Sequence, residues 1–381
     1  MERKKIAYIS GTRADFGLMT PVLKAIQNSK VLSLKVFATG MHLMPEFGLT
    51  IEEVKKVFPS VETISATFEE NTNRATVRFI ADVMRVCTDA FLRERPDLVL
   101  LLGDRPEMLA VATACLYLGI PTGHLHGGER TGTSDEIPRH AITKLSSLHF
   151  PATQASAERI ACLGEDLWRI QVVGAPALDV VAGGTLPSPQ EVREFITLSA
   201  HERFILLVQH PGEDGEASRG EIEETLSALK QIALPVVAVY PNADTGSHHI
   251  IEVLEKERTN PLFRIFKSIP HALFLALERE ASVLVGNSSA ALIESASFRT
   301  PVVTIGERQR GRLCGGNVLC VSSKKDDVVS AIQKSLDDPE YRATLATVSN
   351  PWGDGKTGPR VAQFLEELTI DAKLLNKQIS Y

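Results

Sequence analysis

What most restricts the fold of this chain is a repeated alternation, in which short apolar runs of strand length are each followed by a stretch of helical periodicity. Ile6–Ser10, Leu34–Gly40, Asp97–Leu102, Pro121–Gly128, Leu148–Pro151 and Ile170–Gly174 read as strands, and Leu18–Gln27, Asn73–Arg93, Met108–Leu118, Pro138–Ser147 and Ala155–Leu163 as helices between them. Runs that are apolar throughout belong to strands covered on both faces, the condition of a parallel sheet flanked by helices. The alternation lapses at Gly174–Pro189, GAPALDVVAGGTLPSP, whose glycines and prolines read as a linker. It then restarts with strands at Phe204–His210, Pro235–Pro241, Phe263–Ile269, Ala281–Gly286, Pro301–Ile305 and Val318–Val321 and helices among them. A chain of 381 residues exceeds what one core usually serves, so the expectation is two doubly wound α/β domains.

In open α/β sheets ligands bind outside the carboxyl ends of the strands, so the residues just past each apolar run are the candidates. Leu100–Phe150 is the densest stretch: one run ends in Gly103-Asp104-Arg105, and the next carries His124 and His126 into Gly127-Gly128-Glu129, with Asp135 beyond. Taken alone, Gly-Asp-Arg can equally be an Asx-capped turn. Two histidines two apart on a strand share a face and could begin a metal site, but no further ligand stands at a usual spacing, so an acid/base site without metal is the expectation.

The second half supplies what an anionic nucleotide needs. Gly286-Asn287-Ser288-Ser289 comes after a buried run and opens a helix, where free N–H groups, hydroxyls and the helix dipole favour phosphate. Glu294, further along that helix, could take ribose hydroxyls, although an N-cap and a solvated face are the plain alternatives for Ser288 and Glu294. His210 ends one strand, and Asn242 and Asp244 come after another. GTRADFG, between the first strand and first helix, is a weak phosphate loop with Arg13 in it. Net charge of −6 argues against a nucleic-acid surface, while Arg13, Arg105, Arg308, Arg310 and Arg312 sit in Gly-containing loops suited to a small anion. No apolar run reaches membrane-spanning length, Met1 leads through charged residues into a strand rather than a signal peptide, and five cysteines without a CxxC read as reduced core thiols. A cytoplasmic protein is therefore expected.

The strings GTRADFG, LLGDRPEM, HLHGGERTGTSDEIPRHAITKLSSLHF, QHP, YPNADTGS, VGNSSAALIES, TPVVTIGERQRGR, GGNV and NPWGDGKTGPRV together resemble the hydrolysing UDP-N-acetylglucosamine 2-epimerases of sialic acid synthesis. The resemblance spans residues 1 to about 370. It implies a GT-B fold, with two Rossmann-like domains (1–180 and 189–358), the active site in the cleft between them, and a C-terminal helix in 359–381 crossing back to the first. It also implies a reaction: UDP-N-acetylglucosamine and water give N-acetylmannosamine and UDP, through anti elimination to a 2-acetamidoglucal and its hydration, with no cofactor. Asp104 and Asp135 would be acid/base carboxylates, with Arg105 their cationic neighbour. His126 or Glu129 would fill the third catalytic role, because several relatives carry a carboxylate where this chain has His126. His210, counted with the catalytic groups, would sit at the diphosphate with Arg13, Ser288, Ser289 and Arg308. Asn242 and Asp244 would line the cleft, Glu294 would hold ribose, and the backbone near Ile269 would meet uracil. The family's oligomers imply a homodimer or homotetramer. Left open are a 2,4-diacetamido-2,4,6-trideoxy sugar or a GDP-linked sugar as substrate, and a GT-B glycosyltransferase as a different class.

Overall fold

The computed structural model describes residues 3–67, 72–131, 135–183, 186–212, 215–241 and 246–380. The chain forms two compact units, one of Met1–Glu129, Ser134–Ala182 and Trp352–Tyr381, the other of Arg130–Thr133 and Gly183–Pro351. The segment that returns to the first unit thus begins at Trp352.

The first unit is built on β1 (Lys4–Ser10), β2 (Leu32–Ala38), β3 (Glu62–Thr63), β4 (Leu98–Leu102), β5 (Thr122–Leu125) and β6 (Leu148–Phe150), all parallel in the order β3-β2-β1-β4-β5-β6. Alternation along β1 explains its continuous apolarity: Ile6 and Tyr8 enter one core and Ala7 and Ile9 the other, each against helices. The second unit repeats the plan with β7 (Ile205–Val208), β8 (Val236–Val239), β9 (Phe263–Phe266), β10 (Val283–Gly286), β11 (Val302–Ile305) and β12 (Val318–Val321), ordered β12-β11-β10-β7-β8-β9. In each sheet the strand order reverses beside the unit's first strand, at β1/β4 and at β7/β10. Such switch points open a crevice at the strands' carboxyl ends.

Three sequence expectations need correction. GTRADFG is mostly helix: Thr12 caps Arg13–Gln27, and Asp15 takes the main-chain N–H of Gly11 at 2.9 Å and of Thr12 at 2.8 Å. This reciprocal capping box outweighs the two glycines that suggested a loop, and leaves Gly17 inside the helix. Ile170–Gly174 forms no strand but an isolated bridge, Ile170 to His149, with single main-chain bonds from Gln171 to His149 at 2.9 Å and from Val173 to Pro151 at 3.0 Å. Of the five cysteines only Cys87 and Cys115 are buried, while Cys314 is half-buried and Cys162 and Cys320 are exposed. No helix of the described residues is long and apolar enough to cross a membrane.

The returning segment is tied into the first unit along its length. The helix Thr357–Glu367 places Val361, Ala362 and Leu365 in the same core as Met19, Val22 and Leu23 of Arg13–Gln27. Asp179 accepts the N–H groups of Thr357 at 2.8 Å and Gly358 at 2.6 Å. Further on, Arg169 donates to the carbonyls of Lys373 at 2.8 Å and Leu374 at 2.9 Å, and Lys377 meets buried Glu165 at 3.0 Å. Glu165 also receives Lys144 at 2.8 Å and His149 Nε2 at 3.0 Å. Burial alone would raise the Glu165 pKa, but these hydrogen bonds and cations hold it at about 2. Burial lowers the pKa of His149, which therefore serves as a neutral donor while the lysines supply the charge.

A carboxyl whose folded pKa lies below its unfolded value gives stability that is present above about pH 4.5 and lost as pH falls toward about 2. Glu165→Gln should remove roughly 2 kcal/mol at neutral pH and little at the acid end. Urea midpoints at pH 7 and pH 3 check this, and an equal loss at both would contradict the assignment.

Candidate active site

At the β1/β4 switch point of the first unit, β4 stops at Leu102, and Gly103, with φ of 71°, turns the chain into Asp104 before Arg105 at the N-cap of the helix Pro106–Leu118. β5 stops at Leu125, and the chain turns through His126 (φ 60°), Gly127 and Gly128 (φ 73°) to Glu129. The helix Glu136–Leu145, headed by Asp135, then brings Arg139 back under both turns. Arg139 is 3 % exposed and forks: Nη2 pairs with Asp104 Oδ2, while Nη1 donates to the His126 carbonyl at 3.1 Å and lies 3.8 Å from Glu129 Oε2. Burial pulls the Arg139 pKa down, but Asp104, Glu129 and Asp135 together more than offset this and raise it. One buried guanidinium thus gathers all three expected carboxylates.

His126 and Glu129 are joined to each other, the ring Nδ1 to Glu129 Oε1, with Glu129 1 % exposed. The partner is a carboxylate, so Nδ1 is the donor of this bond. The His126 ring lies 6.4 Å from that of Trp352, the fully buried first residue of the returning segment. His126 and Glu129, posed as alternatives by the sequence, are one hydrogen-bonded unit.

The shared face expected for His124 and His126 is corrected by this geometry. His124 remains in β5, where its Nε2 donates to the Gly103 carbonyl at 2.7 Å and its Nδ1 meets Thr143 Oγ1 at 3.1 Å; burial brings its pKa to about 3. His126 has left the strand in a left-handed conformation, so spacing by two no longer means a shared face. Arg105, expected beside the carboxylates, has its Nε on buried Glu107 at 2.7 Å because both lie at the start of one helix; Arg139 is the cation that meets them. Arg13, expected on phosphate, pairs through Nε with Glu53 Oε2 at 2.9 Å within the first unit.

The β7/β10 switch point of the second unit has a different chemistry. Asn287 accepts the His210 N–H at 2.7 Å and returns its Nδ2 to the His210 carbonyl at 2.9 Å, locking the two strand ends together. Ser288 precedes the helix Ser289–Phe298 and makes no side-chain cap bond to it, so the plain capping role does not hold. Arg308 Nη1 donates to the Pro211 carbonyl at 2.7 Å, and Gln309 to the Asn287 carbonyl at 2.9 Å, which folds the 306–312 loop over this turn. Glu294, on the helix, is buried rather than on a solvated face, with His271 Nε2 at 3.6 Å. Ile269 is a core residue, 7 % exposed, just ahead of His271–Glu280. Asn242 and Asp244 lie outside the described residues.

Gly286 is required by this geometry. Its φ is 131°, and a Cβ there would stand 1.9 Å from the Val208 carbonyl oxygen of β7. Gly286→Ala should cost at least about 1–3 kcal/mol from backbone strain alone, before the overlap is relieved. A clear fall in Tm is the expected readout, and an unchanged Tm would show that the two strands can part without penalty.

Arg139 and Glu107 were within reach of sequence reasoning but not singled out, and Asn287, read as part of the Gly286–Ser289 turn, was given no role of its own. Arg139 is one helical turn from Asp135, the spacing that stacks two side chains on one face. Asn287 carried the ordinary signal of an Asx residue before a helix.

The family model described as UDP-N-acetylglucosamine 2-epimerase matches residues 24–366. The UDP-N,N'-diacetylbacillosamine 2-epimerase (hydrolyzing) of Legionella pneumophila is 37% identical over 380 residues, covering 99% of this chain and 100% of that protein. The UDP-N-acetylglucosamine 2-epimerase of Neisseria meningitidis serogroup B is 32% identical over 342 residues, 89% of each chain. Among solved structures, a UDP-GlcNAc 2-epimerase from Neisseria meningitidis bound to UDP-GlcNAc superposes with a TM-score of 0.80 at 20% identity, over 95% of this chain and 99% of that one. That likeness establishes the GT-B-like fold.

Proposed function

The chain belongs to the UDP-N-acetylglucosamine 2-epimerase family, and on that premise we propose that it hydrolyses a UDP-linked 2-acetamido sugar with inversion at C2. The observation that carries this reading is the gathering of Asp104, Glu129 and Asp135 about Arg139, with His126 held by Glu129. Such a cluster can take and return protons in two successive steps.

In the first step a base removes the C2 proton and the C1–O bond to UDP breaks, so that the electron pair of the C–H bond forms the C1=C2 double bond of a 2-acetamidoglucal. In the second, a proton is delivered to C2 on the opposite face and hydroxide from water adds at C1, giving the free 2-epimer. Asp104 and Asp135 are the acid/base carboxylates. His126 and Glu129 work as one group, the carboxylate fixing the tautomer so that His126 Nε2 accepts or delivers the proton. In the second unit the Ser288-Ser289 helix start, His210 and Arg308 hold the diphosphate, Glu294 takes the ribose diol, and the main chain at Ile269 meets uracil. Asn242 and Asp244 complete the substrate contacts.

For the sugar we assign UDP-N,N'-diacetylbacillosamine, in preference to the UDP-N-acetylglucosamine favoured by the motifs. Support comes from the Legionella relative, more similar and over its full length than the Neisseria one. The released diacetamido hexose suits sialic acid-type sugar synthesis, and the enzyme would act in the cytoplasm as a homodimer or homotetramer. Offering each nucleotide sugar without any acceptor tests the reading. Release of UDP with an epimerised free hexosamine supports it, and a requirement for a sugar acceptor would move the chain to the glycosyltransferases.

A further inference from the structure

The second unit contains a buried titratable group that the reaction has not used. Glu278, on the helix His271–Glu280, is fully buried, yet no donor of the described residues reaches either carboxyl oxygen. The group beside it is the carboxyl of Glu294, on the helix Ser289–Phe298, itself 2 % exposed and with no donor on Oε2. Glu278 also lines a small, mostly apolar cavity with Val208, Phe274, Gly286, Ser288 and Ala291, so it stands behind the same turn that carries Ser288. The basic group nearby is His271, whose Nε2 is 3.6 Å from Glu294 Oε1, too long for a hydrogen bond.

Two adjacent carboxylates buried without a cation cannot both stay ionised, so the pair retains a proton. Burial first, then the neighbouring Glu294 carboxyl, push the Glu278 pKa well above the usual carboxyl range; Glu294 is the one of the two with the imidazole of His271 beside it, so the shared proton is assigned to Glu278. A neutral carboxyl has one O–H to give, and the neighbouring carboxylate is the acceptor in reach.

We infer that Glu278 is a positioning residue, whose O–H fixes one oxygen of Glu294 and thereby aims the remaining lone pairs of that carboxylate at the vicinal hydroxyls of the nucleotide ribose. The inference rests on the proposed role of Glu294. It adds a residue that touches no ligand yet sets discrimination for a ribose over a deoxyribose.

The test is calorimetry of the full chain with UDP and with 2'-deoxy-UDP. Glu278→Leu removes the donor and should weaken UDP about tenfold or more, the worth of a hydrogen bond to a charged group. Binding of 2'-deoxy-UDP should change little, so the preference for ribose collapses. Glu278→Gln, neutral and with an N–H to give, should restore the preference, and in a Glu294→Gln background Glu278→Leu should have no further effect. Glu278→Met serves in place of the leucine variant if that one does not fold. Equal weakening of both nucleotides would mean a structural role only and overturns the inference, as does an unchanged preference in Glu278→Leu. A wild-type chain that binds no UDP would overturn the UDP-sugar reading instead.

Discussion

Arg139→Met should leave a protein that is both inactive and less stable. The substitution fills much of the volume but strands Asp104 and Glu129 as carboxylates whose shared cation is gone, Glu129 being 1 % exposed. Removing one partner of a buried ion pair typically costs about 3–5 kcal/mol, and the loss here falls toward the lower end because Asp104 is partly exposed and Glu129 keeps its bond to His126. The chemistry should suffer more than stability suggests. Without the fork, Asp104 loses its orientation, and the His126 carbonyl, which Arg139 holds at 3.1 Å, is free to let the catalytic turn relax. A fall in kcat of at least about 10²-fold is expected, the lower end of what a positioned acid/base group contributes. Arg139→Lys keeps the charge but not the planar fork, so it should recover most of the stability and little of the turnover. Thermal melts alongside single-substrate kinetics separate the two effects, and an Arg139→Met enzyme with wild-type kcat would remove Arg139 from the site.

Asp104→Asn is expected to separate binding from chemistry. Asparagine keeps the shape of the side chain and an oxygen for the Arg139 fork, but it can neither accept nor deliver a proton at catalytic pH. Turnover should drop by about 10²–10⁴-fold, while UDP affinity stays at the wild-type value because the residues proposed for the diphosphate belong to the second unit. Running the wild type in D2O supplies a second readout. Elimination through a glucal discards the original C2 proton, so the product must carry deuterium at C2. Product with only protium there would falsify the elimination route whatever the mutants show, and full turnover in Asp104→Asn would release this residue from its role.

Sequence reasoning located the switch-point turns but not the contacts made across them. The runs ending at Leu102, Val208 and Gly286 were legible because strands buried on both faces are apolar throughout, and the polar residues just beyond them are then conspicuous; the run ending at Leu125 was less plain, since Thr122 and His124 lie within its strand. The order of strands, and hence which turns become neighbours, was not. Asp104 and Arg139 are 35 residues apart, and only the packing of Glu136–Leu145 beneath β4 and β5 brings them together. Arg105 was the natural choice of cation because it is next in sequence to Asp104, and adjacency misled because consecutive residues diverge where a strand ends and a helix begins. GTRADFG misled for the opposite reason: Gly11 and Gly17 advertised a loop, while the Thr12–Asp15 box that makes it a helix depends on a three-residue spacing easily passed over.

The second unit is inserted into the first, and this imposes an order on synthesis. A ribosome delivers residues 1–182 early, but Val361, Ala362 and Leu365, which complete the core around Met19 and Leu23, emerge only after all of Gly183–Pro351 has passed. At about 5–20 residues per second that delay is on the order of ten seconds or more. Throughout it, the apolar face of Arg13–Gln27 waits without the helix that covers it, and Lys4 waits for the carbonyls of Leu365 and Glu366. The second unit has no such dependence, its sheet being contiguous in the chain. A nascent chain arrested near residue 351 should therefore protect β7–β12 from protease while β1–β6 are still cut, so the half of the protein that is made first is the half that finishes folding last.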